Sequence, residues 1–125
     1  MKVLMSIKPE FASKIFDGTK HYEFRRMIFK DPSVTKVVVY ASSPVQMVIG
    51  EFEIESILHH TPKVLWNHTR DGAGISKEFF MSYFGDKDTG YAIRIKGPKR
   101  YRKPRCLKAD YKLSPPQSFV YLYDH

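Results

Sequence analysis

Gly18-Thr19-Lys20-His21-Tyr22-Glu23-Phe24-Arg25 sets a cation, an anion and a second cation at fixed spacing just after a helix end. The preceding Pro9-Glu10-Phe11-Ala12-Ser13-Lys14-Ile15-Phe16-Asp17 carries apolar residues at helical spacing, a proline suited to the first turn and, in Gly18, a residue suited to terminate it. From His21 to Arg26 polar and aromatic residues alternate, the period of a half-buried strand. Tyr22 and Phe24 are thereby predicted to face the core. His21, Glu23 and Arg25 share the other face, with Glu23 and Arg25 roughly 7 Å apart along the strand and Lys20 at its entry. A carboxylate between two cations can hold an arginine fork toward a phosphate or a base edge. The same spacing is equally that of a solvated strand face with a surface ion pair, worth about 0–1 kcal/mol.

The G-x-K-x-x-E-x-R pattern, preceded by Leu4-Met5-Ser6-Ile7-Lys8-Pro9, resembles the signature of the ASCH domain, a family with a PUA-like β-barrel fold named for homology to a transcriptional coactivator. Val38-Val39-Tyr40-Ala41-Ser42-Ser43-Pro44, Val48-Ile49-Gly50-Glu51-Phe52 and Pro115-Pro116-Gln117-Ser118-Phe119 extend the likeness over nearly the whole chain. The resemblance implies a nucleic-acid-binding fold, with some relatives acting as small hydrolases.

At 125 residues, 42% of them hydrophobic, the chain is expected to form one domain, 1–125, around a modest core. A formal charge of +8 points to a polyanionic partner or anionic substrate, although excess charge also serves solubility alone. The single Cys106 excludes an intramolecular disulfide, and no stretch approaches the roughly 20 apolar residues of a membrane span. With no secretory signal read at the N-terminus, the expected location is cytoplasmic, without a membrane partner, and the oligomeric state is left open.

Val3 to Ile7, Tyr22 to Arg26, Val34 to Ala41, Gln46 to Ile57, Tyr91 to Ile95 and Phe119 to Tyr123 read as strands. Gly50 marks a bulge that would bend the long fourth strand, as closure of a small barrel requires. Thr61-Pro62 opens a short helix through Trp66, followed by a loop from Asn67 to Gly74. Ser76 caps another helix ended by Gly85, whose Phe79, Phe80, Tyr83 and Phe84 are expected in the core; stacking on bases requires one of them to point outward. The fold class is thus α+β, a PUA-like small mixed β-barrel with short peripheral helices.

Arg94, Lys96, Lys99, Arg100, Arg102, Lys103, Arg105, Lys108 and Lys112, interleaved with Tyr101 and Tyr111, form the main electrostatic feature. Such a ribbon suits a groove that tracks phosphates while bases stack on tyrosine; its alternative is a solvated hairpin with charge on all sides. His59, His60 and His68 lack zinc spacing and a cysteine partner, so no metal or other cofactor is expected. The resemblance places Tyr40, Ser42, Ser43 and Ser118 near the barrel's cleft, and Lys8 would face it with Lys20, two ammonium groups that lower each other's pKa.

One branch of the family looks like an amidohydrolase acting on an acetylated cytidine through the motif lysine, a threonine and a distant glutamate. Lys20 matches the lysine, Glu23 occupies the threonine's position, and the loop Asp71-Gly72-Ala73-Gly74 offers glycine or alanine where the glutamate would fall. Another branch resembles a metal-independent ribonuclease, in which Lys20 and Glu23 would serve as an acid–base pair and Arg25 would stabilise phosphorane charge. The leading expectation is a module that binds RNA or a nucleotide-like ligand and regulates transcription or translation. Its contacts would be Lys8, Lys20, Glu23, Arg25, Arg26, Tyr40, Ser42, Ser43, Arg94, Arg100, Arg102, Gln117 and Ser118. A small hydrolase using Lys20 and Glu23 is the alternative, and a protein-interaction module a third.

Overall fold

A computed structural model describes residues 1–123. Among them, six strands form a single curled sheet: β1 (Lys2–Ile7), β2 (Tyr22–Arg25), β3 (Lys36–Ala41), β4 (Met47–His60), β5 (Gly90–Arg105) and β6 (Phe119–Leu122). Their order is β2-β5-β4-β3-β1-β6, with β1 parallel to β3 and every other pairing antiparallel. The period of two sorts β1 and β3 between the sheet's faces. Val3, Met5, Ile7, Val37 and Val39 pack with Ala12 and Ile15 of helix α1 (Pro9–Asp17), whereas Leu4, Val38 and Tyr40 pack with Tyr101, Leu107 and Tyr111.

The bend falls where Gly50 predicts it. The β4–β5 register shifts between Val48 and Gly50, and a side chain at Gly50 would lie 2.5 Å from the Phe16 ring and 2.6 Å from the Lys99 carbonyl. The stretch from Gly97 to Pro104, read as a basic loop or ribbon, continues the strand as part of the 16-residue β5. Helix α2 (Pro62–Thr69) opens on Thr61, whose hydroxyl accepts from the Val64 amide, and runs past Trp66 into a 3₁₀ turn (Arg70–Gly72) in place of the expected loop. Helix α3 (Lys77–Phe84) is capped by Ser76. A π-helical turn (Leu107–Tyr111), absent from the sequence reading, buries Leu107 and Tyr111 against the sheet.

Of the four α3 aromatics, Phe80 and Phe84 pack with Tyr22, Phe24, Leu65 and Ala92. Phe79 is 37% exposed and turns to a cleft, since a two-turn helix cannot aim residues one position apart at the same side, while half-buried Tyr83 packs against Phe84 and also lines that cleft.

The two edge strands are tied together by side chain. Arg25, at the end of β2, donates through Nη2 to the Ser118 Oγ at 2.8 Å and to the Ser118 carbonyl at 3.1 Å, just ahead of β6. Its Nη1 reaches the Ser6 carbonyl of β1 at 3.3 Å. This guanidinium bridges the sheet's open seam.

Candidate functional site

The turn after α1 aims Lys20. Gly18 adopts φ 88°, a left-handed conformation that glycine accepts without the Cβ penalty. The amides of Thr19 and Lys20 both donate to the Lys14 carbonyl at 3.0 Å. Thr19 donates through its hydroxyl and its amide to Asp17 Oδ1, which holds the Asp17 carboxyl below its usual range. The chain re-enters the sheet through His21, whose amide donates to the Gly72 carbonyl at 2.8 Å.

Lys20 is only 2% exposed. Its Nζ donates to the Ala73 carbonyl at 2.8 Å and sits 4.7 Å from the centre of the Phe24 ring and 5.5 Å from that of Phe11. Burial depresses its pKa from 10.5 to about 8; Glu23 opposes the shift, and Lys14 adds to it. The second cation in this balance is thus Lys14, whose Nζ donates to the neighbouring Gly74 carbonyl at 3.1 Å, and not Lys8 as the sequence reading had it. Gly74 sits at φ 69°, and a Cβ there would lie 2.6 Å from the Lys20 Cβ. The loop 72–74 is glycine-rich because it presses against Lys20 and His21.

All four residues of β2 are buried. The polar face of the strand is therefore the floor of a cleft and not a solvated surface. Glu23 Oε2 accepts from Arg25 Nη1 at 3.0 Å with both side chains nearly inaccessible. Because Arg25 also holds Ser6 and Ser118, the carboxylate is locked in orientation, and the guanidinium is committed to protein acceptors. His21 departs from the predicted shared face: it is exposed, and its Nε2 pairs with the Gly18 carbonyl at 2.8 Å.

The cleft above this floor has a volume of about 810 Å³. It gathers Lys8, Lys20, Glu23, Arg25, Arg26, Tyr40, Ser42, Ser43, Gln117 and Ser118 from four separate stretches of sequence. Arg94, Arg100 and Arg102 lie outside its lining. Arg94 is held by an ion pair with Glu55 and a 2.9 Å hydrogen bond to the Tyr22 hydroxyl. Arg100 lies over the Phe16 ring of α1. Phe11, Met27, Gln46, Ile75, Phe79 and Tyr83 also line it and were not anticipated there. The crowding of four aromatics onto one short predicted helix was the available signal. Lys8 lies over the Phe79 ring and Arg26 over that of Tyr83. Among the described residues, no group of three or more His, Cys, Asp and Glu side chains is placed to hold a metal ion. No helix among them is long and apolar enough to cross a membrane.

No protein-family model matches the chain. It is 33% identical over 121 residues to a Ureaplasma parvum protein named ATP synthase subunit alpha, but it spans only 15% of that relative's length. An ASCH domain-containing ribonuclease of Zymomonas mobilis is 31% identical over 126 residues, covering 97% of this chain and 84% of the relative. The crystal structure of ASCH from Zymomonas mobilis superposes with a TM-score of 0.89 at 30% identity, covering 98% of this chain and 88% of that one. The curled α+β half-barrel is accordingly the PUA-like fold expected from the motif. Similarity over 97% of this chain and shared architecture agree, and the chain belongs to the ASCH domain family.

Proposed function

We propose that the cleft binds single-stranded RNA and cleaves it at a phosphodiester bond laid over Lys20. The observation that carries this reading is the burial of Lys20, which brings its ammonium group to a pKa of about 8 in a cavity large enough for a nucleotide. An acid poised near neutral pH can stabilise charge on a phosphorane and protonate a leaving oxygen. The relative's description as a ribonuclease supports the substrate class.

In this reading the 2′-hydroxyl attacks phosphorus as its proton passes to the Glu23 carboxylate, and the bond to the 5′-oxygen breaks as that oxygen takes a proton from Lys20. In this reading Arg25 fixes the carboxylate in place, because both of its Nη groups donate to protein acceptors, Glu23, Ser6 and Ser118. Four cations, Lys8, Lys20, Arg25 and Arg26, line the cleft against the single carboxylate of Glu23, a balance that favours a polyanion. Phe79 and Tyr83 stand at the rim with Lys8 and Arg26 over one face of each ring, so a base stacking there would take the place of a cation or use the other face.

Holding RNA without cutting it would make the same cleft a reader in transcription or translation. Incubating labelled single-stranded RNA with wild type and Lys20→Ala, with magnesium and with EDTA, separates the two uses. Cleavage lost in the variant supports the nuclease. Intact RNA with salt-sensitive binding in both proteins leaves the reader.

A further inference from the structure

On the far side of the sheet from α1, two depressions of about 390 and 500 Å³ share Tyr101, Arg105 and Asp110 and are taken together as one trough. Tyr101 is 8% exposed, and its hydroxyl donates to Glu51 Oε1 at 2.9 Å. The Arg105 guanidinium lies 3.9 Å from the centre of the Tyr101 ring and donates to the Tyr111 hydroxyl at 3.0 Å. That stacking holds a cation in place at low entropic cost.

The walls are predominantly cationic, with Lys2, Lys99, Arg102, Lys103 and Arg105 against the single carboxylate of Asp110. Lys99, Arg102 and Lys103 are exposed on the wall and form no ion pair with any described residue. The carboxylate in the lining, Asp110, is occupied by the Cys106 amide at 2.9 Å. Glu51, beneath Tyr101, is taken up by Lys2 at 3.9 Å and Lys36 at 3.5 Å. The basic ribbon is thus divided: Arg94 and Arg100 are engaged elsewhere, and the distal end of β5 concentrates free cations on one surface.

The trough and the cleft are joined by a short run of chain. Tyr111 lines the trough and Pro115 lines the cleft, four residues apart, so at most ~14 Å of extended backbone separates them. We propose that this trough is a second RNA-binding surface, which grips the phosphodiester backbone of the strand after it leaves the cleft. The inference rests on the RNA reading of the cleft and adds an effect of substrate length that the cleft alone does not impose.

The test uses 2′-O-methylated, fluorescein-labelled single-stranded RNAs, which lack the attacking hydroxyl, as a trinucleotide and a dodecanucleotide. Binding to wild type is compared with that to the triple variant Lys99→Ala/Arg102→Ala/Lys103→Ala and to a charge-matched control, Lys63→Ala/Lys77→Ala/Lys87→Ala, across a salt series. In the trough variant the log–log salt slope for the dodecanucleotide is expected to fall by about 2, since each lost single-strand phosphate contact removes about 0.7. Its affinity should drop on the order of 10-fold or more to approach that of the trinucleotide, while trinucleotide binding stays as in wild type. Equal dodecanucleotide binding by the trough variant and the control overturns the proposal. A trinucleotide that no variant binds, with a dodecanucleotide still dependent on the trough, overturns the cleft reading instead and leaves the trough as an RNA surface.

Discussion

Arg25 donates to both the side-chain and the backbone oxygen of Ser118, so one guanidinium joins the two edge strands of the sheet and at the same time holds the carboxylate on the cleft floor. Closure of the fold and orientation of the site depend on the same buried ion pair. Removing Arg25 leaves Glu23 buried and unpaired, a loss typically of about 3–5 kcal/mol. Arg25→Ala should lower the unfolding free energy by that amount, seen as a lower urea midpoint, and Glu23→Gln in the same chain should recover part of it. Ser118→Ala removes one charge-assisted hydrogen bond and should cost about 1.5–3 kcal/mol. If Arg25→Ala unfolds at the wild-type urea concentration, the bridge is not structural.

Burial of Lys20 costs stability. Its pKa is depressed in the folded chain, so between about 8 and 10.5 the unfolded chain binds the extra proton and stability rises with pH. Below about 8 the full penalty is present, near 3 kcal/mol at about 1.4 kcal/mol per pH unit. Lys20→Met relieves that penalty but gives up the hydrogen bond to Ala73, worth about 1 kcal/mol. The variant should therefore be more stable by about 1–2 kcal/mol at pH 7 while losing RNA cleavage. Denaturant titrations at pH 7 and pH 10 check the sign: the gain shrinks at the higher pH.

Gly74 and Gly18 both hold positive φ, yet they should respond differently to alanine. Gly18 has nothing within 4 Å of an added Cβ, so Gly18→Ala carries only backbone strain of about 1–2 kcal/mol. At Gly74 the added Cβ also meets Lys20 at 2.6 Å. Gly74→Ala should lose cleavage at temperatures where it remains folded, and Gly18→Ala should keep it. Comparing both rates with circular dichroism melting separates strain from displacement of Lys20.

Phe79 and Phe80 are adjacent but face different environments. Phe80 is fully buried, and Phe80→Ala should cost about 3–5 kcal/mol of stability. Phe79→Ala should change stability by less than about 1 kcal/mol but weaken single-stranded RNA binding by about 1–3 kcal/mol if a base stacks there. Unchanged RNA affinity would remove the rim from the binding surface.

The strands other than the distal half of β5, the first helix and its glycine stop were legible because periodicity and turn chemistry are local. Gly50 announced its bulge in the same way. The burial of Glu23 and Arg25 was not legible: an alternating strand reads as half-exposed, and what covers its polar face is α3 and the 115–118 segment, brought there by tertiary packing. The partner of Arg25 lies 93 residues away, beyond any spacing rule. The split of β5 into engaged and free cations was equally hidden, since it follows from which strand face each residue takes after the β4–β5 register shifts. The π-helical turn at Leu107–Tyr111 offered neither helical nor strand periodicity to read.

The most direct measurement is the single-turnover cleavage rate of a labelled single-stranded RNA at subsaturating wild-type protein from pH 5.5 to 10, beside Lys20→Ala. With Lys20 as the acid, kcat/KM should fall about tenfold per pH unit above about 8, and whatever residual rate the variant keeps should show no such limb. A rate that stays level through pH 10, or an identical profile in both proteins, would contradict the role assigned to Lys20.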